Sequence, residues 1–357
     1  MRERRRREVA LKKATKRRGP FDQFTGICSI TIENFKGVGK SITVPLKPIT
    51  LLFGENSAGK STILHALLYL SEILSNRKAD IDQVDLCGTT LSLGGFRQFV
   101  YRHETDRTIH IAVTCQLDGE KIEPYQGVHE SADFWEHEDE YEAMNVHKLH
   151  RIDTVFLEIG VAASTPHGAR VKTFAAGING KEVIRGVYDE ERPTDPKKWS
   201  LNESHPLVKK ALRTVPFFCN DLGLLKRCGG ISFLSDAFDC ALPNLDKPVT
   251  IMYPDYDSWE GLGVKPPEEF SECEGPVSSF FDQLLVGITN HVHKQLKNLR
   301  YTGPLRVVPP REGFQIWQNA KQNWADGSAA WATLVDPELN LQRQPEGEFA
   351  KRPPPDQ

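Results

Sequence analysis

The pattern of apolar and polar positions first predicts a β-hairpin near the start of the chain. The stretch CSITIENF alternates between the two kinds of residue, the glycines of KGVGK favour a turn, and SITVPL alternates again. Alternation with a period of two residues is typical of strands with one buried face. Two such stretches joined by a short glycine-containing turn predict an antiparallel pair.

The next segment predicts the start of a strand–loop–helix unit. PITLLF is a short continuous apolar run, which is typical of a strand buried on both faces. The stretch GKSTILHALLYLSEILSN follows, and its apolar residues recur at helical spacing, which predicts an amphipathic helix. The apolar stripe of this helix consists of Ile63, Leu67, Leu70 and Leu74.

Further strands and a second long helix are predicted downstream. RTIHIAVTCQL and DTVFLEIGVAA are typical of strands, and GARVKTFAAGINGKEVIRG predicts two strands joined by a tight turn at Asn179 and Gly180. Residues 276–299 predict an amphipathic helix with Pro276 in its first turn. Its stripe consists of Val277, Phe280, Phe281, Leu284, Leu285, Ile288, Val292 and Leu296.

Two segments between these elements have other compositions. HESADFWEHEDEYEAMN is acidic and predicts an exposed insertion loop. Its Glu and His residues lack the spacing of metal ligands, so a solvated loop is favoured over a metal site. Residues 189–275 are rich in Pro and Gly and predict no clear arrangement of elements.

Charge is distributed unevenly along the 357 residues. Residues 1–18 carry ten Lys and Arg against two Glu, whereas the whole chain has a net charge of -3. Such a basic arm is a candidate for binding nucleic acid, but a solvated tail is the favoured interpretation because no aromatic residues are interleaved. No run of about 18 apolar residues could span a bilayer, and the N-terminus lacks the apolar core of a signal peptide. The sequence therefore predicts a cytoplasmic protein without a membrane partner.

The cysteines indicate neither a disulfide framework nor a zinc site. The seven are odd in number and scattered, with no C-x-x-C pair, so we expect reduced and mostly buried thiols. His147 with His150, and His291 with His293, are candidate metal ligands. No carboxylate or cysteine completes either set at the spacing of a metal site, so surface histidines are predicted.

The chemistry of the chain is indicated by GENSAGKS, which fits the phosphate-binding pattern G-x-x-x-x-G-K-[ST]. Its glycines let backbone N–H groups point at phosphate oxygens at the start of a helix. Lys60 can reach the β- and γ-phosphates, and the Ser61 hydroxyl suits Mg²⁺. The sequence therefore predicts a site for ATP and Mg²⁺ with Ser61 as the metal ligand, formed by Gly54, Asn56, Ser57, Ala58, Gly59, Lys60, Ser61 and Thr62.

The segment from the hairpin to the loop resembles the N-terminal lobe of ABC-class ATPases of the SMC, RecF and OLD (overcoming lysogenisation defect) type. The resemblance rests on a turn of the NFK kind, Asn34 to Lys36, followed by a loop of the form F-G-x-N-x-x-G-K-S-T that begins at Phe53. It implies that Asn34 and Lys36 also contact the nucleotide. GPLRVVPPR is similar to a Gly-Pro-Leu-Arg element of such ATPases, which makes Arg306 and Arg311 candidate phosphate or interface residues.

Two elements that the resemblance implies are not evident. These ATPases need a signature motif and a strand that ends in paired acids. LSLGGFRQF imitates a signature at Ser92, Gly94 and Gly95 but follows the loop too soon, so it is interpreted as the approach to a glutamine loop with Gln98 near Mg²⁺ or water. The stretches ending at Glu158 and Asp255 lack a second acid and are interpreted as ordinary strands.

Together these features predict an α/β P-loop NTPase lobe of the ABC class, with an antiparallel β flank and a mixed α+β insertion region, in an incomplete N-terminal portion of an ATPase. The function expected from the resemblance is ATP binding coupled to DNA repair or phage defence, with a homodimer or a partner protein supplying the missing motifs, and the catalytic residues stay unknown. The alternatives are a nucleotide-sensing regulator or scaffold without hydrolysis, and a phosphotransferase.

The predicted regions are a basic disordered tail (1–24), a P-loop lobe (25–118), an acidic insertion loop (119–150), a mixed insertion region (151–300), a return to the ATPase core (301–340) and a disordered tail (341–357).

Overall fold

The computed structural model describes twelve stretches of the chain: residues 26–55, 59–81, 83–86, 89–92, 94–125, 138–164, 168–189, 197–214, 232–233, 240–249, 251–252 and 270–301. The chain divides into two compact units, one formed by Met1–Ile81 with Gly94–Lys297 and the other by Asp82–Leu93 with Asn298–Gln357. In the second unit, strands β3 and β4 form an antiparallel pair. All other elements below belong to the first unit.

The strands are β1 (Gly26–Glu33), β2 (Ile42–Pro45), β3 (Gln83–Leu86), β4 (Thr89–Ser92), β5 (Ile109–Gln116), β6 (Thr154–Ser164), β7 (Gly168–Ile178), β8 (Lys181–Tyr188), β9 (Lys197–Leu201), β10 (Ser232–Phe233) and β11 (Ile251–Met252). The helices are α1 (Lys60–Asn76), α2 (Phe96–Phe99), α3 (Glu138–Ala143), α4 (Val146–Leu149), α5 (Pro206–Thr214), α6 (Phe270–Asp282) and α7 (Ile288–Lys297). A short 3₁₀ helix (Tyr101–His103) follows α2, and a π-helical turn (Gln283–Gly287) joins α6 to α7.

The centre of the first unit is an antiparallel sheet of seven strands in the order β2-β1-β5-β6-β7-β8-β9. Its register places Ile32 opposite Ile111, and Ile111 opposite Ile159. These alternate side chains are fully buried on one face, which α1 and α7 contact. The alternating sequence pattern thus predicted both the strands and the face that forms the core.

The predicted hairpins are confirmed. Strands β1 and β2 pair antiparallel, as do β7 and β8. Asn179 and Gly180 join the second pair with φ angles of 51° and 75°, the positive values that a tight hairpin turn of this kind requires. The seven-stranded sheet contains strands from both sides of the boundaries predicted at residues 118 and 150. The division of the chain into domains stays a prediction.

The prediction of a buried strand at PITLLF is wrong. Residues 48–53 form no strand in the structure, and Ile49, Leu51 and Phe53 are exposed to 76%, 70% and 88%. A strand buried on both faces needs neighbours that cover it. In the described part of the chain the central strands pair with one another instead, and none pairs with this segment.

Both predicted long helices are confirmed, with one correction. The stripe of α1 is buried as expected, and so are all eight stripe residues of the second helix. That second helix begins earlier than predicted, at Phe270, so Pro276 lies inside α6 and not in its first turn. The π-helical turn packs closely against the backbone at Glu123. A Cβ on Gly287 would come within 2.6 Å of the Glu123 backbone oxygen.

The acidic segment was predicted to be a loop, but its second half is helical. Helices α3 and α4 occupy residues 138–143 and 146–149, and they bury Tyr141, Val146 and Leu149. Apolar residues among the acids therefore anchor this part to the core, where α3 contacts α6. Residues 126–137 lie outside the described residues.

Other predictions concern single residues and the membrane. Cys115 and Cys240 are buried free thiols, and Cys28 is a half-buried free thiol; burial raises the pKa of Cys115 to about 12. Among the described residues, no helix has both the length and the apolar character needed to cross a bilayer. The two predicted tails and residues 302–340 lie outside the described residues.

Candidate nucleotide-binding site

The phosphate-binding sequence lies between the exposed segment and α1, and the structure describes its two ends. Gly59 has a φ angle of 85°, a left-handed conformation that favours glycine. The Lys60 ammonium donates hydrogen bonds to the backbone oxygens of Gly54 at 2.7 Å and Glu55 at 2.6 Å. Lys60 thus folds back over the loop and places its charge beside the start of α1. Asn56, Ser57 and Ala58 lie outside the described residues.

The N-terminus of α1 is left open by its own sequence. Gly59 precedes the helix, no side chain caps it, and no acidic residue occurs in its first turn. The first N–H groups of a helix need partners from outside the helix, and together with the helix dipole they favour an anion. The start of α1 therefore presents donors and a positive end next to the Lys60 ammonium.

Ser61 and Thr62 have different environments in this turn. Ser61 is exposed, so its hydroxyl is accessible to a metal ion or a phosphate oxygen. Thr62 is buried, and its N–H donates to the backbone oxygen of Gly59 at 3.0 Å. Its hydroxyl lies 3.7 Å from the position that a Cβ on Gly59 would take. The loop residues Gly54, Glu55 and Gly59 to Ser61 are thus the accessible part of the candidate site that the structure describes.

The NFK turn lies against α1 through a buried aromatic cluster. The ring of Phe35 is 5.7 Å from that of Tyr69 and 5.6 Å from that of Phe99, and Tyr69 and Phe99 are 4.7 Å apart. All three rings are fully buried. This cluster fixes the turn, α1 and α2 relative to one another, and it is the reason that Asn34, Lys36 and Gln98 occur in one region.

Asn34 and Lys36, on either side of Phe35, make different contacts. Asn34 is buried; its amide donates to the Thr108 backbone oxygen at 2.9 Å and accepts from Arg107 at 3.3 Å. Lys36 instead reaches α1, where its ammonium donates to Nδ1 of His65 at 2.7 Å. The structure therefore gives Asn34 contacts that hold the turn, and it brings Lys36 to the helix that follows the phosphate loop. Their nucleotide contacts stay a prediction.

Lys36 and His65 share a half-buried environment that disfavours charge. Burial lowers the pKa of Lys36. Burial first, and then the neighbouring Lys36 charge, lower the pKa of His65 to about 4. His65 is therefore neutral near pH 7 and can accept the hydrogen bond. The sequence motif does not single out His65, although this residue lies four residues after Ser61, on the same side of the helix.

Gln98 is exposed in the short helix α2. Two successive glycines with positive φ, Gly94 and Gly95, lead into this helix, and the Phe96 N–H donates to Asp80 at 2.8 Å. The Lys36 N–H donates to the backbone oxygen of Phe99, so α2 is tied to the NFK turn. A contact from Gln98 to Mg²⁺ or water stays a prediction.

Glu158 lies within β6, as predicted for an ordinary strand. Its carboxylate is 3.6 Å from Nδ1 of His110 and 4.0 Å from Arg185. The nearby His110 imidazole, followed by the charge of Arg185, keeps the pKa of Glu158 below its usual value. A carboxylate stabilised in its charged form is a weak general base. Asp255, Arg306 and Arg311 lie outside the described residues.

The prediction of surface histidines is wrong for His291, which is buried and has Nδ1 3.6 Å from the Glu120 carboxylate. His147 and His293 are half-buried: His147 accepts the Ile122 N–H at 2.7 Å, and His293 contacts the Ser75 hydroxyl at 2.9 Å. His293 lies against Ser75 because α7 packs onto α1. In the part of the chain that the structure describes, no three His, Cys, Asp or Glu residues are grouped so as to hold a metal ion.

A comparison with protein families bears on the same part of the chain. Residues 26–156 match the family model described as the AAA ATPase domain. No curated protein matches the chain. The matched residues include the first hairpin, the phosphate loop, α1 and β5, which are the elements that form the candidate site. Over this range the chain is similar to AAA ATPase domains, and its mixed α/β structure with a seven-stranded antiparallel sheet fits a P-loop NTPase-like fold.

Proposed function

We propose that this chain binds ATP with Mg²⁺ through residues 54–62 and is the nucleotide-binding part of an ABC-class ATPase of the SMC, RecF and OLD type. The observation that carries the proposal is the Lys60 ammonium held at the Gly54 and Glu55 oxygens beside the uncapped start of α1. A triphosphate supplies the negative charge that these donors lack. The match of residues 26–156 to AAA ATPase domains supports an ATPase-like role.

The residues present suit both parts of the ligand. The ammonium and the first N–H groups of α1 are donors for phosphate oxygens. The exposed Ser61 hydroxyl is an oxygen ligand of the kind that Mg²⁺ takes in such loops. In this proposal Lys60 exchanges its backbone acceptors for phosphate oxygens when the nucleotide binds.

In this proposal the chain binds ATP but does not form a complete site for hydrolysis by itself. Glu158 is engaged by His110 and Arg185 and is a poor candidate for activating water. The apolar side chains of Ile49, Leu51 and Phe53 are exposed directly before the loop, which supports a partner or a second copy that covers them. In this proposal that partner supplies the missing motifs, and ATP binding is coupled to nucleic acid, as in DNA repair or phage defence, with the basic arm 1–18 as one contact.

Titration calorimetry with ATP and Mg²⁺ tests the binding site. We expect Lys60→Ala to weaken ATP binding by at least tenfold, because a charge-assisted hydrogen bond contributes about 1.5–3 kcal/mol. Lys78→Ala is the matched control, since Lys78 is an exposed lysine just beyond the other end of α1. Equal affinities of the wild type and Lys60→Ala would refute the assignment.

A further inference from the structure

A group of exposed cations occurs on the first unit, on the short helix α5. This helix buries Leu207, Val208 and Ala211. Its other side carries Lys209, Lys210 and Arg213, all exposed. Because α5 contains no acidic residue, all the charged side chains on its exposed side are positive.

Two neighbouring segments bring further cations to the same place. The Lys210 ammonium donates to the backbone oxygen of Lys148 at 3.2 Å, at the end of α4. The Asn202 side chain donates to the Glu182 backbone oxygen at 2.9 Å, which holds the residues before α5 against the start of β8 and thus near Lys181. We call Lys181, Lys209, Lys210 and Arg213, with Lys148 and Arg151 at the edge, the basic surface.

The charges of the basic surface are only partly balanced. Lys148 forms an ion pair with Glu142, and Arg151 forms one with Asp153 at 3.0 Å. Among the described residues, no acidic side chain lies within ion-pair distance of Lys181, Lys209, Lys210 or Arg213. Glu203 is the single acid of residues 202–214. Burial, and then the neighbouring Lys181 ammonium, lower the pKa of His205, as expected near a positive group.

We propose that the basic surface binds the phosphate backbone of duplex nucleic acid without reading its sequence. Lysine and arginine neutralise backbone phosphates, and such contacts position a protein on a duplex without specifying bases. The inference deepens the nucleic-acid part of the proposed function and rests on it for the kind of partner.

The side chains around the basic surface favour a duplex over an anionic membrane and over single-stranded nucleic acid. The basic surface is built from residues 146–151, 179–181 and 202–214. Among the described residues, these segments expose no large hydrophobic side chain. The surface therefore lacks the apolar groups that insert into a membrane. The same three segments contain no Phe, Tyr or Trp. Binding of single strands uses stacking of bases on aromatic rings, which the basic surface cannot provide.

Fluorescence anisotropy with the full chain and a labelled duplex of about 21 bp, two helical turns, tests the inference. The test variant is the triple replacement Lys209→Gln, Lys210→Gln and Arg213→Gln. The matched control is Lys40→Gln, Lys121→Gln and Lys247→Gln, which removes the same number of charges from exposed positions outside the basic surface. Salt is varied between about 50 and 200 mM, the range in which phosphate contacts are lost.

We expect the test variant to bind the duplex at least tenfold more weakly at low salt than the control. The slope of log affinity against log salt should become less steep by about 2 to 3, because each phosphate contact contributes about 0.9. Duplex DNA and duplex RNA should respond alike. Arg213→Glu alone should also weaken binding, and equal melting temperatures verify that the variants fold.

Three results would overturn the inference: equal duplex affinity of the test variant and the control, tighter binding of single strands than of the duplex, or binding to phosphatidylserine vesicles without binding to the duplex. Calorimetry with ATP on the same variants separates the two proposals. If ATP binding is absent but the duplex result holds, the nucleotide assignment fails and the basic surface stands. If ATP binds and the test variant matches the control, the basic surface fails alone.

Discussion

Nζ of Lys36 lies 2.7 Å from Nδ1 of His65 and donates a hydrogen bond to it. This bond joins the turn after β1 to the helix that begins at the phosphate loop, one helical turn beyond Ser61. Both groups are half-buried, so the pair is stable when His65 is neutral and can accept. The link therefore depends on pH.

We expect His65 to make the fold sensitive to acid. Its pKa is about 4 in the folded state, below its usual value near 6.5, so the unfolded chain binds more protons between these values. Stability must then fall as the pH drops from about 6.5 towards 4. His65→Gln should lose less stability than the wild type between pH 7 and pH 5 in urea denaturation, since its amide oxygen still accepts from Lys36. His103→Gln, at an exposed position, should behave as the wild type, and an unchanged pH response of His65→Gln would contradict the role of His65.

Gly59→Ala should lower stability and abolish tight nucleotide binding. The φ angle of 85° costs a non-glycine residue about 1–2 kcal/mol, and the new methyl group projects at the start of α1. Gly119→Ala separates the two effects, because Gly119 also has a positive φ and open space around its Cβ position. Both variants should melt at lower temperature, but only Gly59→Ala should lose ATP binding in calorimetry. Unimpaired binding by Gly59→Ala would place the phosphates elsewhere.

Asp282→Asn should destabilise the protein by about 1–3 kcal/mol. The buried carboxylate accepts the N–H of Tyr125 and, at 3.0 Å, that of Val249, and an asparagine would turn a donor towards one of them. Burial raises the pKa of Asp282 to about 6, so its stabilising contribution is complete below its usual pKa and is lost as pH rises through about 6. The stability difference between wild type and variant should therefore be larger at pH 4 than at pH 7. Ser41→Ala, at an exposed position just before β2, serves as a control with a small effect.

The purified chain should hydrolyse ATP far more slowly than about 1 per second, the lower end of typical turnover. A loop that holds phosphates supplies positioning and charge, but water activation needs a further group. Glu158→Gln should leave this low rate unchanged, because Glu158 is paired with His110 and Arg185. Turnover near 1 per second that is lost in Lys60→Ala would show that the chain contains its own catalytic acids.

Removal of residues 1–18 should weaken binding to nucleic acid and make it less dependent on salt, because up to ten cations are lost. ATP affinity should stay the same, since none of the loop residues is removed. Anisotropy and calorimetry on the shortened chain measure the two properties. If the full chain shows no salt-dependent binding at low ionic strength, the arm has no such role.

The sequence alone determined the elements that depend on local patterns. Alternation predicted β1, β2 and the β7–β8 hairpin, because residues with a period of two must share a face. Helical spacing predicted the buried stripe of α1. The glycines and Lys60 indicate a phosphate-binding loop, and that role stays a prediction. These features depend on residues only a few positions apart along the chain. The sequence of one strand, one turn or one helix is therefore enough to predict them.

The tertiary structure decided what depends on partners distant in sequence. The apolar run at Ile49 to Phe53 has the pattern of a central strand, but strands form only when other strands pair with them, and the described residues provide none. His65 becomes a partner of Lys36 because Phe35, Tyr69 and Phe99 pack together and bring the turn onto α1. Lys210 reaches the end of α4 through the Lys148 backbone oxygen, and Asn202 holds the residues before α5 at the start of β8. Burial, pKa shifts and charged surfaces arise from such contacts, which neither composition nor spacing along a single chain contains.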